Sequence, residues 1–318
     1  MKVYRRFDAL DRGLHAALIV SFLGLALTGM PLLFSESVWA SRLARLLGGV
    51  YTAGIIHRMA AILLIGVFLM HLARIGRRLV IDRDMGVLWG PSSMTPQPRD
   101  IRDLFNHLKW FFGQGPRPRF DRYTYWEKFD YFAVFWGMGI IGLSGLMLWF
   151  PTAFARVVPG WMFNIAALIH GEEALLAVGF IFTVHFFNTH MRPEKFPMDP
   201  VIFTGRLTEE EFRAERADEY DRLLAEGRLE RQAVGPAPEW VIPLARVVAV
   251  VVLTIGFAIV ALIALTVIDS AVNGDAPHGS FMRPEGAALT RAAGPPLSPH
   301  QVGVVESGRH SPAEPKER

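Results

Sequence analysis

The chain has 318 residues, 51% hydrophobic and 20% charged, with no cysteine and a formal net charge of +3. The missing cysteines exclude disulfides, iron–sulfur clusters and covalently attached c-type haem, which needs Cys-x-x-Cys-His, so any such centre belongs to another protein. The small positive excess follows membrane topology, as the charge pattern below indicates, and excludes nucleic acid as its reason.

Five apolar runs reach the roughly 20 residues that a bilayer requires: about 14–34, 52–75, 130–150, 163–187 and 240–268. They predict an all-α integral membrane protein. The first four runs form an up-down-up-down bundle, and the last adds a fifth, C-terminal transmembrane helix. Lys2, Arg5, Arg6 and Arg12 precede the first run as basic residues precede a signal core. The run extends to Phe34 and opens with His15, so it reads as a retained helix. Only Arg42 and Arg45 lie between the first and second runs. The second run carries His57 and His71, and eleven Lys or Arg follow from Arg74 to Lys128. In that polar connection, PSSMTPQP and GQGPRP flank DIRDLFNHLKWFFG, a short amphipathic helix whose Trp110, Phe111 and Phe112 suit a membrane interface. His107 within it reads as a surface residue.

Only Arg156 separates the third and fourth runs. The fourth carries His170 and His185, with His190 just beyond, and eight Lys or Arg follow from Arg192 to Arg231. Within that stretch TEEEFRAERADEYDRLLAEGRL reads as a solvated surface hairpin or helix. The fifth run follows Pro243 and has no histidine, which suits an anchor or subunit contact. From about Asn273 the chain is rich in Pro, Gly, Ser and Ala, the composition of a flexible tail, with His278, His300 and His310 on its surface. The basic residues alternate cleanly between connections, which predicts a cytoplasmic N-terminus and a periplasmic C-terminus in a bacterial inner membrane. The division is then a bundle over 1–205 with a cytoplasmic loop over 76–129, a cytoplasmic linker over 206–239, a fifth helix over 240–268 and a periplasmic tail over 269–318.

Histidine is expensive inside a bilayer unless it has a task. His57 and His71 are fourteen residues apart and His170 and His185 fifteen, close to four helical turns. Each pair therefore shares a helix face, with its members roughly 21–22 Å apart. That arrangement suits two stacked haems, one near each surface, each iron held between two histidines. The second and fourth helices run in one direction, so His57 and His170 meet at the outer end. At the inner end His71, His185 and His15 share a depth, and either His15 or His71 can partner His185. If both ligate, with His190 as a fourth ligand, a third haem opens. His190 lies five residues past His185, about 140° around an α-helix, turned away from the same iron. Gly24, Gly29, Gly66, Gly142, Gly145 and Gly179 either admit porphyrin edges or simply pack helices closely. Two histidines per iron leave no open position, so such a centre moves single electrons.

Two other classes compete. A non-redox membrane anchor or transporter would use the histidines as interhelical contacts and hold no haem. A metal transporter would gather histidines with acids at mid-membrane, whereas Glu172 and Glu173 lie at the outer edge.

Four stretches carry a resemblance: RGLHAALIVSFLGLALTGMPLLF, YTAGIIHRMAAILLIGVFLMHLARI, RYTYWEKFDYFAVFWGMGIIGLSGLMLWFP and HGEEALLAVGFIFTVHFFNTHMRPEKFPMDPVIFTG. Over about residues 5–205 the chain resembles the membrane cytochrome b family of formate dehydrogenases, nickel–iron hydrogenases and thiosulfate reductases. It is most similar to the branch that accompanies periplasmic multihaem c-type cytochromes. The resemblance implies non-covalent haem b, an outer haem on His57 and His170, and an inner haem on His15 and His185. His71 departs from that four-ligand pattern and matches the two-helix arrangement of cytochrome bc complexes, which keeps it a rival or third-haem ligand. The resemblance also implies exchange with menaquinone or ubiquinone near the inner haem, with His190, Asn188, Arg192 and Glu194 on one side and Lys128, Asp130 and Tyr131 on the other. The implied partner is a periplasmic multihaem cytochrome c, or dehydrogenase and iron–sulfur subunits, for which this chain is the quinone-reactive subunit of an oxidoreductase.

Overall fold

In a computed structural model that describes residues 2–193, 195, 196 and 198–273, the five apolar runs are five helices long and apolar enough to cross a membrane. They are α1 (Ala9–Leu33), α3 (Val50–Val80), α5 (Tyr125–Trp149), α6 (Trp161–Met191) and, last in the chain, α10 (Val241–Asn273). The tail expected beyond Asn273, with its three histidines, and Glu194 lie outside the described residues.

The helices begin where the sequence supplies caps. Asp8 and Asp11 close a reciprocal capping box on α1, and Thr124 and Glu127 do the same for α5. Between α1 and α3 a short helix, α2 (Val38–Leu46), ends in Gly48 and Gly49, both with positive φ, a backbone that glycine adopts without strain. Arg74 near the end of α3 reaches Asp8 and Asp11 at 2.6 Å each, which clamps that end to the beginning of α1. Of the helix pairs, α1 and α3 pack most extensively. Their backbones approach at Gly24, where an added Cβ would stand 3.0 Å from the Ala60 Cβ. The main apolar core is built from Ala26 and Met30 of α1, Phe34 that caps it, Ala40 of α2, Val178, Phe182 and Phe186 of α6, and Ile259 of α10. Gly256 lets α10 lie against α6, since any Cβ there would collide with Phe182 and Phe186 at 2.5–2.8 Å.

Elsewhere the spans present large apolar side chains outward. Only 6% of the α3 window is buried within the chain, while Met59, Ile62, Leu69 and Met70 are exposed. Hydrocarbon is the solvent that makes such a face stable, and with the mean hydropathy of 1.7–3.1 across the five spans it marks a multi-pass membrane protein.

The expected amphipathic piece is α4 (Pro98–Phe111), with Ile101, Phe105, Phe111 and Phe112 exposed. His107 is not the surface residue expected: it is half-buried among Trp110, Phe111, Phe120, Tyr125 and Trp126, with Nδ1 3.1 Å from the Tyr125 hydroxyl.

The segment read as a linker over 206–239 is folded into a cap. Beyond α6 a short helix α7 (Val201–Thr204) leads into β2 (Arg206–Thr208), α8 (Glu209–Glu215), α9 (Ala217–Ala225) and β3 (Ala233–Val234). The N-terminal strand β1 (Val3–Arg5) lies between β2 and β3, antiparallel to both, in the order β2-β1-β3. Tyr4, Val201, Leu207, Phe212, Tyr220, Leu223 and Leu229 form its core. Several of its charges are paired and buried, while others, such as Glu230 and Asp221, stay exposed. Arg6 and Arg122 grip the two oxygens of Glu219 at 3.1 and 3.0 Å, and Arg216 binds Glu127 at 2.7 Å. Burial, with Arg216 and Arg122 nearby, pushes the Arg6 guanidinium down to about 10. The cap thus joins the N-terminus, the start of α5 and the segment after α6 at one end of the bundle, the end that also carries most basic residues.

Candidate functional site

Two clusters of histidines occupy the bundle, one toward each end. At the end away from the cap, His57 of α3 faces His170 of α6, with ring centroids 6.3 Å apart and planes at 72°. Two imidazoles trans on one metal, with bonds of about 2 Å, hold their centroids about 6 Å apart. The pair therefore fits a single iron between them.

Hydrogen bonds choose the tautomer of each ring. The Thr28 hydroxyl lies 2.6 Å from the Gly24 carbonyl, to which it donates, and 2.9 Å from His57 Nδ1, from which it then accepts. His170 Nδ1 lies 3.0 Å from the Ile141 carbonyl, an obligatory acceptor, with Ser144 Oγ at 3.3 Å. Both rings therefore carry their proton on Nδ1 and present a bare Nε2, the state a metal ligand requires. The Ile141 carbonyl sits in a π-helical stretch, Met138–Gly142, a local widening of the kind that recurs at functional sites.

Glycine backs both rings. A Cβ on Gly145 would stand 2.9 Å from His170 Cε1, and one on Gly29 3.2 Å from His57 Cε1. These two glycines seat the two imidazole rings themselves. Gly24 serves helix packing, Gly142 meets Met138 at an ordinary 3.8 Å, and Gly66 and Gly179 border open space with nothing within 4 Å of an added Cβ. Among the described residues no three His, Asp or Glu side chains gather as a bare metal ion would need. Paired histidines suit a cofactor that brings its own equatorial ligands.

At the cap end, His15 of α1 lies within electrostatic reach of His185 and His190 of α6. His185 donates Nδ1–H to Asp130 Oδ2 at 2.9 Å, leaving its Nε2 bare as well. The angle expected between His185 and His190 rests on α-helical geometry, which this part of α6 does not keep. Residues Ile181–His185 and Phe187–Met191 are π-helical, and i→i+5 bonding brings residues five apart closer in phase than they are in an α-helix. His190 lies within electrostatic reach of both His185 and His15. A π turn also holds one residue more than an α turn, which matches the fifteen-residue spacing on α6 against fourteen on α3.

His71 is brought to a different partner. Its Nε2, the nitrogen that would meet an iron, is 2.8 Å from the Tyr131 hydroxyl, and its ring packs against Phe135. Of the remaining candidates, Lys128 is buried and pairs with Asp100 of α4 at 2.8 Å, while Asp130 serves His185. His190 Nδ1 and Arg192 Nε are buried without a hydrogen-bond partner among the described residues, and Asn188 lies half-buried on the same turn. A cavity of about 230 Å³ opens beside His15, bounded by Arg12, Ile19, Ile202 and Phe203.

The sequence reading did not single out Thr28, Ser144 or the Ile141 carbonyl. The available signal was a hydroxyl residue inside an apolar helix at the depth of a histidine.

A family model described as prokaryotic cytochrome b561 matches residues 6–191, which include the first four spans and all six histidines discussed here. No curated protein matches the chain. The match covers more than half of the sequence, and the chain belongs to this family of membrane cytochromes b, whose members carry haem b and transport electrons.

Proposed function

From that membership we propose that the chain is the quinone-reactive subunit of a membrane oxidoreductase, carrying electrons between a quinone near the cap end and a redox partner at the opposite surface. His57 and His170 would hold one haem b, and His15 and His185 a second. Support for the outer pair is the single strongest observation: a 6.3 Å apposition with both rings anchored through Nδ1. Support for His15 over His71 is that His185 lies near His15 while Tyr131 occupies the iron-facing nitrogen of His71. Two haems account for these contacts without a third. Fifteen residues along α6 separate the two sites by roughly 22 Å. Each bound haem supplies a one-electron couple with no open coordination position, so substrate chemistry at iron is disfavoured.

The quinone end is read from unsatisfied groups. A quinone interconverts with its quinol by two electrons and two protons, and needs a donor or acceptor at each oxygen. His190 Nδ1 and Arg192 Nε are buried polar atoms left without partners among the described residues, a state that costs stability unless something fills it. With Asn188 they form the proposed quinone face, and the apolar cavity beside His15 gives a ring or an isoprenoid tail room to approach. Lys128 leaves that list, since Asp100 engages it, while Asp130 binds His185 through one oxygen and keeps the other buried without a partner among the described residues.

The charge alternation supports a cytoplasmic cap and N-terminus in the bacterial inner membrane, with the outer haem facing the periplasm and a multihaem cytochrome c or a dehydrogenase as partner. The test is a reduced-minus-oxidised spectrum with pyridine haemochrome quantitation on the purified chain. Two b haems per chain are expected; a folded, membrane-inserted chain without haem would overturn the proposal.

A further inference from the structure

The two ends of the bundle anchor their histidines on acceptors of different charge. His57 donates to the Thr28 hydroxyl and His170 to the Ile141 carbonyl, both neutral groups. His185 donates to the Asp130 carboxylate at 2.9 Å. The other oxygen of Asp130 is buried and has no hydrogen-bond partner among the described residues. No arginine or lysine therefore binds it there to offset its charge. Of the cations of this end, Arg74 pairs with Asp8 and Asp11, Lys128 with Asp100, Arg12 donates to the Phe203 carbonyl at 2.9 Å, and Arg192 lies over the Trp126 ring.

A carboxylate that accepts the Nδ1–H of a metal-bound imidazole raises the basicity of the ligand and fixes its orientation. It also places a negative charge near the metal, in surroundings where charges are weakly screened. Both effects favour ferric over ferrous iron and lower the reduction potential. Neutral acceptors at the outer pair do much less of either.

We propose that Asp130 is a positioning residue that sets the inner haem to the lower potential of the two, so that electrons run from the cap end outward. The proposal rests on the haem-ligand reading above and adds a direction to it. A quinol at the inner end loses two electrons and two protons to become quinone. The protons pass to groups at that surface, and the electrons leave singly to a one-electron oxidant at the outer end.

The experiment is a potentiometric titration of the purified full chain, followed at the reduced haem band and by electron paramagnetic resonance of the ferric state. Two components are expected. His170→Ala removes the upper component and leaves the lower. Asp130→Asn, which keeps an acceptor but not the charge, moves the lower component up and alters its ferric signal, with the upper one in place. If Asp130→Asn does not retain the inner haem, the His170→Ala chain and Asp130→Glu decide: a lower potential kept on the inner haem upholds the proposal, and a higher one overturns it. Two haems in the reverse order, or two that ignore Asp130→Asn, overturn this proposal alone. A folded chain without haem overturns the ligand reading as well.

Discussion

The outer and inner histidine clusters use the same ligand chemistry in different surroundings. The outer one is a simple pair between two helices, set by glycine backing and by neutral hydrogen-bond acceptors. The inner one draws on three helices, a carboxylate, π turns and a folded cap with buried ion pairs. Identical side chains thus receive distinct surroundings, and under the proposed function the outer site holds its group while the inner site also exchanges protons.

The largest break in that contrast is His57→Ala, which should halve the haem per chain by emptying the outer site while the inner signal persists; haemochrome quantitation measures it. Next is Gly145→Ala, whose Cβ would press on the His170 ring at 2.9 Å. We expect it to lose most of the outer haem, whereas Gly179→Ala, with open space around it, should lose none; absorption spectra of the two purified variants compare them. Glu219→Ala tests the dependence of the inner end on the cap. It leaves Arg6 and Arg122 without their shared partner, a loss of about 3–5 kcal/mol for a broken buried pair. Thermal unfolding and proteolysis near the N-terminus should register it, with the inner haem disturbed before the outer. The smallest effect expected is Tyr131→Phe, which removes the hydrogen bond to His71 for about 1 kcal/mol. It should leave two haems per chain; gain of a third would make His71, with its Nε2 released, a ligand after all.

The spans and the depths of the histidines were legible because bilayer thickness and helix rise dictate them, and His57 with His170 followed from depth alone. The cap was not. Its segment over 208–229 has the charge pattern of a solvated face, and the groups that neutralise it, Arg6 and Arg122, come from distant parts of the chain. The phase of the inner cluster was hidden for a different reason. Placing His190 around the helix assumed 3.6 residues per turn, and the i→i+5 bonding of α6 changes that phase just where it mattered. The anchors of the outer rings were hidden because Thr28 and Ser144 look like ordinary small residues of packed membrane helices.

The clamp from Arg74 to Asp8 and Asp11 has a consequence for the order of synthesis. It joins the first two spans, the most extensively packed pair, into a hairpin that can assemble as soon as both have emerged. That hairpin already displays His15 and His57, yet the partner of each lies on α6, more than a hundred residues later. Under the proposed ligand assignment, until the fourth span arrives the nascent protein would hold two half-sites and no whole one, so cofactor capture would be a late step that certifies a completed bundle.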